Sequence, residues 1–118
     1  MNQAKATMNV RHISEQTSVI DIHGEVTSAA ESLLMESYAQ STSRGSHNII
    51  LNFKDLDYMN SSGIGLLVTL LIRVQRQEQR LIACGLKEHY QQIFDLTRLN
   101  EAIAIYPEES DAIAALGG

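Results

Sequence analysis

A single cysteine, Cys84, is all the chain contains, so no intramolecular disulfide can hold it together. Cys84 closes the apolar run Leu81-Ile82-Ala83-Cys84 with no base or cationic cluster beside it, and reads as a small buried hydrophobe rather than a reactive thiol. Positive charge is scarce. Nine Lys and Arg stand against 14 Asp and Glu, a net charge of -5, which offers nothing to phosphodiester backbones or an anionic bilayer, so direct nucleic-acid binding is not expected. Long oily segments are missing: the run Ile64 to Ile72 is interrupted by Thr69, stopped by Arg73 and too short to span a bilayer. The opening Met-Asn-Gln-Ala-Lys-Ala-Thr has no apolar signal core, so the expectation is a cytoplasmic protein without membrane insertion. His12, His23, His47 and His89 are dispersed, with no metal-ligand spacing and no inferable Ser-His-Asp set. Gly63 and Gly65 are followed by no Gly-Lys-Ser/Thr and belong to no three-glycine fingerprint, which argues against a nucleotide cradle. Neither an enzyme nor a cofactor is expected.

What remains is a 118-residue chain, 44% hydrophobic and 19% charged, enough apolar material for one core and too little charge for a disordered acidic tail. We expect one domain over residues 1–118. Met8 to Ile13 and Ser18 to His23 are β-prone runs joined by polar Ser14 to Thr17, an antiparallel hairpin, with Gly24 ending its second strand. Ser28 and Glu31 have the spacing of a reciprocal helix cap, and Ala30, Leu34 and Tyr38, with Leu33, form the buried stripe of a helix ended by Ser43 to Ser46. Asn48 to Phe53 is apolar without clean alternation, as in a central strand covered on both faces; Lys54 to Asp57 reads as a turn, its carboxylates Asp55 and Asp57 solvated. Ile64, Leu67, Leu71 and Val74 then form a second helical stripe, opposite Thr69, Arg73 and Arg76, and Val68 and Ile72 are expected to broaden its buried side, the alternative being an exposed docking ridge. Leu81 to Cys84 is a strand broken by Gly85; Tyr90, Ile93, Phe94 and Thr97 have helical spacing. Ala102 to Tyr106 is a last strand, and Pro107 fits the first turn of a last helix whose contacts are Ala112, Ile113 and Leu116.

This order predicts an α/β domain with about four helices on a mixed, mostly parallel sheet, because strand–helix–strand connections are right-handed crossovers. Functional loops gather at the carboxyl ends of parallel strands, where Asp55 to Ser62 emerge. There the sequence Met59-Asn60-Ser61-Ser62-Gly63-Ile64-Gly65 joins strand to helix through two adjacent hydroxyls. A helix start presents unpaired N–H groups and partial positive charge, so a serine there can cap the helix or, once modified, hold a phosphate. Spacing alone favours capping. The two glycines fit a close approach of the helix start to the sheet or to a partner's surface.

The segments Ile49-Ile50-Leu51-Asn52 and Tyr58-Met59-Asn60-Ser61-Ser62-Gly63-Ile64-Gly65 resemble the signature of STAS domains, particularly anti-sigma factor antagonists. Ile22-His23-Gly24-Glu25 is similar to the family's second-strand ending and Ile82-Ala83-Cys84 to its following core strand, so the resemblance covers nearly the whole chain. It implies a STAS-like fold and a non-enzymatic antagonist that binds an anti-sigma factor serine kinase when unmodified and is switched off by phosphorylation, thereby regulating transcription. It also implies a PP2C-type phosphatase to reverse the switch. The implied phosphoacceptor is Ser61, with Ser62 the second choice and mainly structuring the turn. The implied partner surface is Gly24, Glu25, Asp57, Met59, Asn60, Ser61, Ser62, Gly63 and Ile64. Two departures stand out: Asn60 where the family usually has aspartate, and Val26-Thr27 where antagonists often carry a hydrophobic residue and then aspartate. The alternative is a STAS interaction subunit of a stress-signalling assembly or membrane transporter.

Overall fold

The computed structural model describes residues 5–117. Strand β1 (Thr7–His12) pairs antiparallel with β2 (Thr17–Val26), and β3 (Asn48–Met59), β4 (Arg80–Cys84) and β5 (Ala104–Tyr106) follow in parallel, giving the sheet order β1-β2-β3-β4-β5. Four α-helices connect or close it: α1 (Glu31–Thr42), α2 (Ser61–Arg76), α3 (Glu88–Leu96) and α4 (Glu109–Ala115). The α/β class and the mixed, mostly parallel sheet are as expected.

Alternation along the inner strands sorts two unequal cores. Ile20, Ile22, Ile49, Leu51, Phe53, Leu81 and Ala83 face the side covered by α1, α2 and α3, where Leu34, Tyr38, Leu67, Leu70, Val74, Tyr90 and Phe94 meet them. Val19, Ile50, Ile82 and Cys84 face the other side, where α4 brings Ala112, Ile113 and Leu116. The continuous apolar runs Ile49 to Leu51 in β3 and Leu81 to Cys84 in β4 therefore reflect a sheet buried on both faces. Edge strand β1 has only half-buried and exposed residues.

Several local expectations are corrected. Gly24 does not end β2; the strand runs through it at φ +84° to Val26, and a Cβ there would lie 2.3 Å from the Lys5 carbonyl oxygen. Lys54 to Asp57 is not a turn but the second half of β3. It advances from Asn52 to Asp55 while β2 advances only from Asp21 to His23, and from Leu56 to Tyr58 while β2 advances from Gly24 to Glu25. Such extra residues are bulges, and they let Phe53, Leu56 and Met59, three apart, enter the same core. The start of the first helical segment is capped by Thr27, whose hydroxyl accepts from the Ala29 N–H at 3.3 Å, and a short 3₁₀ turn Ser28–Ala30 leads into α1. The Ser28–Glu31 reciprocal cap is replaced accordingly. Pro107 lies before α4; its carbonyl accepts from the Gly85 N–H at 3.1 Å, while the Glu108 N–H donates to Asp111 at 3.1 Å to start the helix. Strand β5 begins at Ala104 because Leu99–Glu101 form a 3₁₀ turn.

Helix α2 departs most usefully. Gly63, Leu66, Leu67, Leu70, Leu71 and Val74 are its buried side and Ile64 is partly buried, but Val68 and Ile72 remain 39% and 45% exposed. They do not broaden the core: at 100° per residue both point away from the side that Leu70 and Val74 anchor.

Candidate functional site

The bulged end of β3 delivers Met59 and Asn60 to the start of α2 beside the end of β2. Asn60, extended at φ -91° and ψ -176°, is the cap: its side-chain oxygen accepts from the Gly63 N–H at 2.9 Å and its carbonyl from the Ile64 N–H at 3.0 Å. Its own N–H donates to the Val26 carbonyl at 3.3 Å, tying the helix start to β2. Capping therefore falls to Asn60 rather than to either serine. Ser61 and Ser62 occupy the first two helical positions and both are exposed. No acidic residue stands in the first turn, so the partial positive charge of the helix start is not neutralised from within α2.

Gly63 is buried for a reason internal to the fold. A Cβ there would sit 2.3 Å from the Val26 carbonyl oxygen and 2.7 Å from Met59 Cγ, so only a hydrogen lets α2 begin this close to β2. Gly65, by contrast, has nothing within 4 Å of where its Cβ would be. The expected close approach to the sheet thus belongs to Gly63 alone.

Of the expected surface, Glu25, Asp57, Asn60, Ser61, Ser62 and Ile64 converge at one end of the molecule, with Gly24 behind them in β2. Met59 is a correction: it is 3% exposed and packed in the main core, and its N–H donates to the buried Tyr90 hydroxyl at 2.9 Å. Its side chain supports the site from below and offers nothing to a partner. Tyr58, opposite Glu25 across the strands, is 48% exposed instead. Asp55 and Asp57 are exposed, and His23 Nδ1 lies 3.7 Å from Asp55.

The uncovered α2 ridge is the second of the two expectations for Val68 and Ile72. One feature lay beyond the sequence reading: a polar cluster on the α4 face, where the Arg11 guanidinium donates to Asp21 at 2.6 and 2.9 Å and also to Glu109, while the Asn52 amide donates to Asp21 at 2.9 Å. Hydrogen bonding from Arg11 holds the Asp21 carboxyl below the ordinary range, although burial opposes it. Arg11 itself is shifted upward, chiefly by its bond to Asp21. The alternation of β1 and β2 points these groups to one face, but nothing local announces that α4, nearly a hundred residues on, supplies the other carboxylate. Cys84 is fully buried near this cluster; burial first, then Glu109 and Asp21, push its thiol up to about 11, which leaves it protonated and unreactive at neutral pH. Among the described residues no three His, Cys, Asp or Glu side chains converge as metal ligands, and no helix is long and apolar enough to cross a membrane.

Known proteins share both sequence and architecture with this chain. BtrV of Bordetella bronchiseptica, a candidate anti-sigma factor antagonist, is 24% identical over 94 residues, covering 80% of this chain and 78% of BtrV. The anti-sigma-B factor antagonist of Staphylococcus epidermidis is 30% identical over 61 residues, 52% of this chain and 56% of that protein. In that match the chain spans little more than half of its relative. Among structures, the unphosphorylated form of the anti-sigma factor antagonist SpoIIAA superposes with a TM-score of 0.75 at 22% identity, covering 95% of this chain and 99% of SpoIIAA. The phosphorylated form of Bacillus SpoIIAA gives 0.73. An anti-sigma factor antagonist from Mycobacterium paratuberculosis gives 0.79 at 16% identity, with 97% and 96% coverage. At such identities the superpositions establish the fold, and the family model described as STAS domain matches residues 8–112. The chain belongs to the STAS domain family.

Proposed function

We propose that this chain is an anti-sigma factor antagonist whose Ser61 surface binds an anti-sigma factor serine kinase and is switched off when that kinase phosphorylates Ser61. Occupied by the antagonist, the kinase releases its sigma factor and transcription rises. The observation that carries the reading is the exposed Ser61 hydroxyl at the first position of α2, freed from capping because Asn60 performs it. In the transfer, Ser61 Oγ attacks the γ-phosphorus of ATP on the kinase, the new O–P bond replaces the bond to ADP, and a base on the kinase takes the hydroxyl proton. The relatives named as anti-sigma factor antagonists support the same reading.

The energetics suit a switch. A phosphoserine adds nearly two negative charges, and at a helix amino terminus the dipole favours an anion by about 0.3 to 2 kcal/mol, so the fold tolerates it. Asn60 helps, since a neutral neighbour does not repel the phosphate. In a close interface the same dianion is desolvated and faces any like charge on the kinase; about 4 kcal/mol lost there weakens binding about a thousandfold. A PP2C-type phosphatase reverses the modification, and the system is cytoplasmic. Purified chain is incubated with candidate anti-sigma kinases and ATP, the phosphate is mapped by mass spectrometry, and binding is compared for wild type, Ser61→Ala and Ser61→Glu. Modification at Ser61 and loss of binding by Ser61→Glu are expected. Full binding by Ser61→Glu, or phosphate only at Ser62 or elsewhere, rejects the switch; docking without phosphorylation moves the chain to the interaction-subunit alternative that Asn60 favours.

A further inference from the structure

The outermost line of α2 is Ser61, Gly65, Val68, Ile72 and Arg76, all exposed and, at 100° per residue, all within one narrow arc opposite the buried side. A solvent-facing helix centre is ordinarily charged; here it is a hydroxyl, three small or apolar positions and a cation. Gly65 makes this unusual. It has an ordinary helical φ, nothing surrounds its Cβ position, and a glycine in a helix interior costs about 1 kcal/mol relative to alanine. Nothing inside the fold asks for it, so the room it leaves is room on the outside.

The line is complementary to its own reverse. Turned about a two-fold axis at Val68 and Thr69, the midpoint of α2, Gly65 stands opposite the partner's Ile72, a hole facing a knob, and Ser61 stands opposite the partner's Arg76. Charge follows the same symmetry. Helix α2 contains no acidic residue and carries Arg73 and Arg76 at its carboxyl end, while Glu25 and Asp57 lie at the strand ends beside its amino end. Antiparallel pairing brings arginines of each copy toward the acidic end of the other and opposes the two helix dipoles favourably.

We propose that α2 pairs antiparallel with α2 of a second copy, and that a phosphoryl group on Ser61 of one copy is held by Arg76 of the other. The second clause rests on Ser61 being the modified residue. A single helix face about 22 Å long is a small interface, so the unmodified pair is weak. Phosphorylation adds two symmetry-related charge-assisted contacts, and the paired form covers the surface that the kinase requires.

The test installs phosphoserine at position 61 during translation, with no kinase involved, and measures self-association of the full chain by sedimentation equilibrium. Phosphoserine is expected to tighten association at least about tenfold, in a salt-sensitive way. Arg76→Glu should abolish that gain, and Gly65→Leu or Ile72→Ser should weaken pairing of both forms with urea midpoints checked to show an intact fold. Ser61→Lys combined with Arg76→Glu should restore salt-sensitive association without phosphate. A phosphorylated chain that stays monomeric, or a gain that survives Arg76→Glu, overturns the pairing. So does a monomer in which Ile72→Ser abolishes kinase binding, since the ridge then belongs to the kinase. A kinase that leaves Ser61 unmodified rejects the proposed switch instead, and the two failures are separable.

Discussion

Gly63 and Gly65 stand two residues apart in one helix, and alanine should move stability in opposite directions at the two. At position 63 the new methyl meets the Val26 carbonyl oxygen at 2.3 Å and Met59 Cγ at 2.7 Å. The Met59 side chain can yield, but the carbonyl belongs to β2 and already accepts the Asn60 N–H. Relief to ordinary contact requires the helix start to retreat by roughly 1 Å, an overpacking cost of about 1–3 kcal/mol. The retreat also lengthens the Asn60 cap to Gly63 N–H, worth about 1 kcal/mol, while alanine returns about 1 kcal/mol of helix propensity. The balance is a loss of about 1–3 kcal/mol for Gly63→Ala. At position 65 the methyl meets nothing, so only propensity remains and Gly65→Ala should gain about 0.5–1 kcal/mol. Urea unfolding of the two variants beside wild type, with unchanged m-values, measures both. Gly63→Ala as stable as wild type would refute the close packing of α2 on β2, and a destabilised Gly65→Ala would show that the space outside α2 is already filled.

Asn60→Ala should lower stability by about 1 kcal/mol, whereas Asn60→Asp, an equally good cap, should stay within about 0.5 kcal/mol of wild type; equal urea midpoints for Asn60→Ala and wild type would refute the capping assignment. The Asp21 carboxyl titrates below its ordinary 3.8, chiefly through its bond to Arg11, so its contribution is present above that value and is lost as pH falls through the lower folded value. With Arg11 over a third exposed, screening limits the contribution to about 1 kcal/mol. Unfolding of wild type and Asp21→Asn at several pH values should show a gap at neutrality that closes only in strong acid; a gap that is constant down to pH 2 would contradict the ion pair.

The elements legible from the chain alone were those whose reasons are local. An apolar run longer than alternation allows marked β3 as a strand covered twice, the spacing of Leu67, Leu71 and Val74 marked α2, and the Asn-Ser-Ser-Gly junction marked the passage from β3 into α2. What the tertiary structure decided depends on contacts between distant residues. Lys54 to Asp57 carries turn composition, yet it is strand because β2 extends alongside and bulges bring Leu56 and Met59 inward. Either serine could cap a helix in isolation, but the anchoring of Asn60 to Val26 gives the cap to Asn60 and leaves both hydroxyls outside. Val68 and Ile72 look like core by hydropathy; whether an apolar helical face is buried depends on what lies across from it, and the sheet covers only the opposite side of α2. Periodicity states that a helix has an apolar side, while only packing states which of its apolar residues the fold covers and which it leaves exposed.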